Sequence, residues 1–193
     1  MSFSSNFFSK TIRLYAVVCK AFGGSFSCLA KEVVPGNFNL IDHHGKPVSE
    51  RSYAGKLQLV FFGFTHCPVV CPTTLADIAR VEQLLGERSH QLQPLFITID
   101  PEHDTVSHLA AYVAAFDSSV VGLTGSAQQI KQAAESFNVT YGRSPVTGLP
   151  GESEIFHSTY LYLMDSDGKF VELIGYGTRP AVIVEKISPY LQR

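Results

Sequence analysis

Phe61-Phe62-Gly63-Phe64-Thr65-His66-Cys67-Pro68-Val69-Val70-Cys71-Pro72 is the stretch on which the reading of this chain turns. It begins inside Leu57–Phe62, a short and nearly continuous apolar run of the kind found in strands buried on both faces. Gly63 ends the strand, a loop carries Cys67, and Pro72 suits the first position of a helix. Leu75, Ile78, Val81 and Leu85 then recur at helical spacing as far as Gly86. Cys71 is therefore expected at or next to a helix N-cap. Free N–H groups and the positive end of the helix dipole favour thiolate there, lowering the pKa of nearby sulfurs. Thiolate is the form that attacks disulfides and also the form that binds metal. The location predicts a reactive dithiol without choosing its use.

Outward from this stretch the pattern alternates. Upstream, Phe38–Val48 alternates around a glycine-containing turn and reads as a hairpin. Downstream, Gln93–Ile99 is a second buried strand, stopped by Asp100-Pro101. Leu109, Val113 and Phe116 mark a helix, Val120–Leu123 a strand, and Ile130, Ala134 and Phe137 another helix. Thr159–Met164 and Lys169–Gly175 flank the turn Asp165-Ser166-Asp167-Gly168 as an edge hairpin, and Ile183, Ile187 and Leu191 place an amphipathic helix at the end. Strands alternating with helices predict an α/β sandwich, a central mixed sheet flanked by helices. Thioredoxin-like domains close with the same β-β-α unit, and that is the fold expected. No internal repeat, low-complexity stretch or second domain is visible.

The 193 residues, 45% of them hydrophobic, suffice for one core and a tail. A net charge of −2 with no block of like charges gives no electrostatic reason to expect nucleic acid or an anionic membrane as partner. Trp is absent and Met is rare, against a Met-rich metal-trafficking surface. Two of the four cysteines, Cys19 and Cys28, lie in the N-terminal tail, and the other two form one local dithiol, not a disulfide framework. In residues 1–30, Lys10 and Arg13 precede the apolar stretch Leu14–Ala30, which Lys20 and Gly23-Gly24 interrupt. A membrane-spanning helix needs roughly 20 continuous apolar residues, so this segment makes a poor span. It reads as an export signal with cleavage after Ala30, or as an anchor in which Cys28 is lipidated, leaving residues 31–193 as the folded domain.

Disulfide oxidoreductases of this fold generally place two residues between their cysteines. Here Pro68, Val69 and Val70 intervene. A pair so spaced can close a disulfide or grip one soft ion from two sides. Two thiolates favour Cu(I) or Zn; a third donor completes a trigonal copper site or leaves zinc one ligand short. His157 is the candidate. It stands before the strand Thr159–Met164, after the polar loop Gly142–Glu154, where thioredoxin-like folds face the cysteines and usually carry a cis-proline. The run Ile155-Phe156-His157-Ser158 has none.

These residues resemble the Sco/SenC family, copper-binding assembly factors for the binuclear copper site of cytochrome c oxidase. The resemblance runs from about Pro35 to the C-terminus. It rests on Phe62–Pro72, on Ile99-Asp100-Pro101 with Asp104-Thr105, on Val121–Gly125, and on His157–Phe170. It implies copper, Cu(I) first and Cu(II) as the alternative, held by Cys67, Cys71 and His157. It also implies a protein exported to the periplasm or to the outer face of the inner membrane. The partner it implies is the copper-receiving oxidase subunit, with a second copper chaperone or a thioredoxin-like reductant as further candidates. Two departures stand out. The family commonly has Asp where this chain has Val69 and Phe156, so two carboxylates that would orient or tune the ligands are gone.

The remaining candidates have ordinary readings. His66 adjoins Cys67 and is expected at the rim; His43 and His44 are expected solvated on a turn. His90, His103 and His108 fall near helix ends, where capping is expected. Asp100 and Asp104 follow a strand at its carboxyl end, as helix caps near Thr105 or, by the resemblance, as support for the site or for partner docking. Against a metallochaperone stands a thiol–disulfide reductase in which Cys67 attacks and Cys71 resolves.

Overall fold

The computed structural model describes residues 16–22, 25–31, 34–145 and 153–192. The chain divides into two units, Met1–Val33 and Val34–Arg193. In the first, β1 (Ala16–Phe22) and β2 (Ser25–Lys31) pair antiparallel, with Cys19 opposite Cys28. Among the described residues no helix is long and apolar enough to cross a membrane.

The second unit opens with the expected hairpin, β3 (Asn39–Asp42) and β4 (Pro47–Ser49). Then come β5 (Leu57–Gly63), α1 (Val70–Leu85), β6 (Leu92–Thr98), α2 (Val106–Val113), β7 (Val121–Thr124) and α3 (Ala127–Ser136). A second hairpin, β8 (Tyr141–Pro145) and β9 (Ser153–His157), precedes β10 (Leu161–Met164), β11 (Phe170–Ile174) and α4 (Pro180–Ile187). The main sheet runs β11-β10-β5-β6-β7-β3-β4. Its centre, β5-β6-β7, is parallel, and β10 and β3 flank that centre antiparallel. This is the mixed sheet the sequence predicts.

Period-2 alternation divides the core into two layers. Leu57, Leu59 and Phe61 face Leu75, Ile78 and Val81 of α1 and Ile183 and Ile187 of α4. Val60 and Phe62 face the other way, toward Ile130, Ala133, Ala134 and Phe137. Every residue of β5 and β6 is buried, and each large apolar side chain so covered contributes about 1.5–3 kcal/mol. Pro94 sits inside β6 because pairing with β7 begins only at Leu95, so its missing N–H costs no bond on that side.

Three boundaries differ from the sequence reading. Helix α1 begins at Val70, so Cys71 lies inside its first turn and Pro72 is the third helical residue. Proline is tolerated there because N–H groups of the first turn have no partner within the helix. Phe116 lies beyond α2, and Leu191 follows a 3-10 turn, Ser188–Tyr190, after α4. The larger difference is Gly142–Glu154. Its described residues are paired strand, with Tyr141 opposite His157 and Gly142 opposite Phe156. A Cβ on Gly142 would stand 2.9 Å from the Phe156 ring, so the glycine lets the aromatic lie across the strand.

Candidate metal centre

Three elements converge at the carboxyl end of β5. Cys67 sits in the loop that leaves the strand, its N–H donating to the Phe64 carbonyl at 3.2 Å. Cys71 lies in the first turn of α1, and its N–H, one of the free donors at the helix start, donates to Cys67 Sγ at 3.4 Å. Gly63 makes the approach feasible: a Cβ there would meet Cys71 Sγ at 2.7 Å and Phe96 Cε2 at 2.8 Å. His157 ends β9, with Nδ1 2.9 Å from the Ser158 carbonyl and Nε2 4.0 Å from Cys71 Sγ. A carbonyl only accepts, so Nδ1 carries the proton and the Nε2 lone pair faces the sulfurs. Phe61 and Phe64 hold the imidazole by T-shaped contacts at 6.0 and 5.9 Å.

The Sγ atoms of Cys67 and Cys71 and a ring nitrogen of His157 all lie within 4.8 Å of one another. Two donors at ~2.0–2.3 Å from one ion stand about 4 Å apart, so the trio fits a soft or borderline metal with little movement. Burial sets the protonation states. It holds the His157 pKa below the ordinary histidine value, which keeps the imidazole in its metal-binding neutral form. Burial also pushes the Cys71 thiol up, and the neighbouring Cys67 adds to this. That corrects the expectation of a lowered pKa for Cys71: the sulfur has no exposed surface, and desolvation of its thiolate outweighs the helix end. A metal must therefore displace a proton from Cys71 to bind it.

Two buried carboxyls brace the trio. Asp104, fully buried, accepts from the Thr65 N–H at 3.1 Å, the Thr65 hydroxyl at 2.6 Å and the Thr98 hydroxyl at 2.6 Å. It thus ties the cysteine loop to the end of β6. Asp100 accepts from Arg143 of β8 at 2.9 Å and lies 2.9 Å from His103 Nδ1, tying down the hairpin that carries His157. Neither acid caps α2. Thr105 does, accepting from the His108 N–H.

Other expectations divide. His66 is exposed at the rim, and His90 Nδ1 meets the Glu87 carbonyl in the 3-10 turn after α1. His103 pairs with Asp100 instead of a helix end, and His43 is half-buried, its Nδ1 accepting from the Gly122 N–H at 3.0 Å. Val69 and Phe156 are 59% and 48% exposed and present apolar surface beside the trio. Cys67, His157, His66 and Arg143 line one open groove of about 790 Å³. Sequence reasoning passed over Arg143; the signal was an isolated arginine, the only Lys or Arg between Lys131 and Lys169.

Comparison with known proteins places the chain in a family. A sequence model of the SCO1/SenC family matches residues 28–192. The mitochondrial protein SCO2 homolog of Danio rerio is 38% identical over 159 residues, covering 81% of this chain and 57% of its own length. Protein sco1 of Schizosaccharomyces pombe is 38% identical over 161 residues, covering 80% and 60%. The chain thus spans less than two thirds of either relative. Among solved structures, Bradyrhizobium japonicum ScoI with copper bound superposes with a TM-score of 0.74 at 35% identity, over 82% of this chain and 99% of that one. The thioredoxin-like fold is shared, and the chain belongs to the SCO1/SenC family.

Proposed function

We propose that this chain is a copper metallochaperone, binding copper through Cys67, Cys71 and His157 and passing it to the copper-receiving subunit of cytochrome c oxidase. The observation that carries the reading is the convergence of two sulfurs and one imidazole nitrogen within 4.8 Å. Two thiolates with one imidazole suit Cu(I), a soft ion content with three ligands, ahead of Cu(II). Copper is cargo here, and the open groove beside the trio suits release to a partner. Family membership and the copper-bound Bradyrhizobium protein support the assignment. Lys10, Arg13 and the apolar stretch Leu14–Ala30 support export to the periplasm or the outer face of the inner membrane, cleaved or anchored. The reduced chain should take up one Cu(I) in competition with a colorimetric chelator, and Cys67→Ser with Cys71→Ser should abolish uptake. Retention of the wild-type Cu(I) affinity by that double variant would refute the reading.

A thiol–disulfide reductase is the second reading, favoured by one observation: Cys67 is accessible while Cys71 is buried behind it. In that reaction Cys67 thiolate attacks a partner disulfide, forming a mixed disulfide and releasing one partner thiolate. Cys71 then attacks Cys67 Sγ, closing the Cys67–Cys71 bond and releasing the second. Exchange that persists in His157→Ala, with a mixed disulfide trapped by Cys71→Ser, would favour this activity.

A further inference from the structure

Beside the cysteine loop His66 stands near two other exposed histidines, each from a separate place in the chain. His66 belongs to the loop itself, His103 to the turn after β6, and His108 to α2. The His66 ring lies 6.0 Å from that of His103 and 5.3 Å from that of His108, centre to centre. Two imidazoles on one tetrahedral ion, each nitrogen ~2.0–2.1 Å from it, place their ring centres about 5 Å apart. The His66–His108 pair stands near that spacing. His103 needs to close by about an ångström, within the rapid rotamer motion of an exposed side chain.

Hydrogen bonding also presents the right atoms. His103 Nδ1 lies 2.9 Å from Asp100 Oδ2, and a carboxylate only accepts, so the proton sits on Nδ1 and Nε2 carries a free lone pair. A carboxylate behind a histidine is the usual way of orienting a metal-bound imidazole. His66 Nδ1 faces Thr65 Oγ1 at 3.4 Å. That hydroxyl spends its own proton on Asp104, so His66 Nδ1 is the donor and its Nε2 too is free.

We propose that His66, His103 and His108 form a second metal site, distinct from the thiolate trio, for a divalent ion that prefers imidazole. Three neutral nitrogens without sulfur suit Cu(II) and Zn(II), the former more tightly, with water completing the shell. His66 and His103 line the same groove as Cys67 and His157, so an ion held there stands at the mouth of the thiolate site. The proposal does not depend on which metal, if any, the thiolates carry.

A Zn(II) titration of the reduced full-length chain against a chromophoric chelator tests it. The triple variant His66→Ala, His103→Ala, His108→Ala should bind one equivalent fewer than wild type, and His103→Ala alone should weaken that equivalent at least tenfold. All three side chains are exposed, so the variants should keep the wild-type fold by circular dichroism. In the Cys67→Ser, Cys71→Ser chain, Cu(II) should give pulsed-EPR modulations from more than one imidazole, lost in the triple variant. Equal stoichiometry in wild type and triple variant, or the same loss in His43→Ala with His44→Ala, would overturn the proposal.

Discussion

Thr65 gives both its backbone N–H and its hydroxyl to the carboxyl of Asp104, at 3.1 and 2.6 Å, across 39 residues of sequence. Thr65 leads through His66 into Cys67, so this contact sets where the first sulfur stands. Asp104→Ala strands the buried Thr98 hydroxyl and leaves the two half-buried Thr65 donors without their acceptor. Bonds to a carboxylate contribute about 1.5–3 kcal/mol each and do not add fully, so a loss of about 3 kcal/mol is expected in urea denaturation. Asp104→Asn keeps one acceptor and should lose less. Equal stability of Asp104→Ala and wild type would remove Asp104 from this role.

Gly63 is needed for space, because a side chain there collides with Cys71 Sγ and Phe96. Gly63→Ala should cost about 1–3 kcal/mol through overpacking and should force the Cys71 sulfur outward. Faster reaction of Cys71 with a thiol reagent, read by mass spectrometry, would report that displacement. Unchanged stability and reactivity would show that the backbone yields instead.

His43 should make stability depend on pH. Burial, aided by the charge of His44, holds its pKa below the ordinary value. An unfolded histidine titrates near ~6.5, so below that pH the unfolded chain binds more protons than the folded one. The contribution is thus present above about pH 6.5 and lost as pH falls toward the folded pKa. His43→Asn cannot titrate yet keeps an acceptor for the Gly122 N–H. The drop in urea midpoint between about pH 7.5 and 5.5 should be smaller in the variant; an identical drop would exclude His43 as its source.

Arg143 holds the hairpin of His157 through Asp100. Its head is half in solvent, so Arg143→Ala should change stability by no more than about 1 kcal/mol. Metal affinity should fall more, by about three- to tenfold, because the histidine loses its brace. Equal chelator competition by variant and wild type would uncouple the ion pair from the site.

Much of this was legible in the residues. The apolar runs at Leu57–Phe62 and Gln93–Ile99 mark the two central strands because strands buried on both faces leave no polar alternation to confuse. The hairpin β8–β9 was not, since Tyr141-Gly142-Arg143-Ser144-Pro145 shows neither apolar alternation nor β-branched residues. It pairs through a Phe156–Gly142 contact that only the tertiary fold reveals. The three ligand candidates were named from cysteine spacing and from a histidine in place of a proline. The rise in the Cys71 pKa was missed because burial depends on α1 starting at Val70 and on Gly63 receiving the sulfur. Support by Asp100 and Asp104 was suggested only by the resemblance; their partners Arg143, Thr65 and Thr98 lie far along the chain or on another element, out of reach of local sequence.

The central claim is that Cys67, Cys71 and His157 act together on one copper ion. Chelator competition for Cu(I) by the reduced chain and its His157→Ala variant, side by side, tests it most directly. His157 Nε2 is already aimed at the sulfurs, so its removal should weaken Cu(I) binding by at least tenfold while the stoichiometry stays at one. Affinity unchanged in His157→Ala would contradict a three-ligand site and reduce the centre to a dithiol.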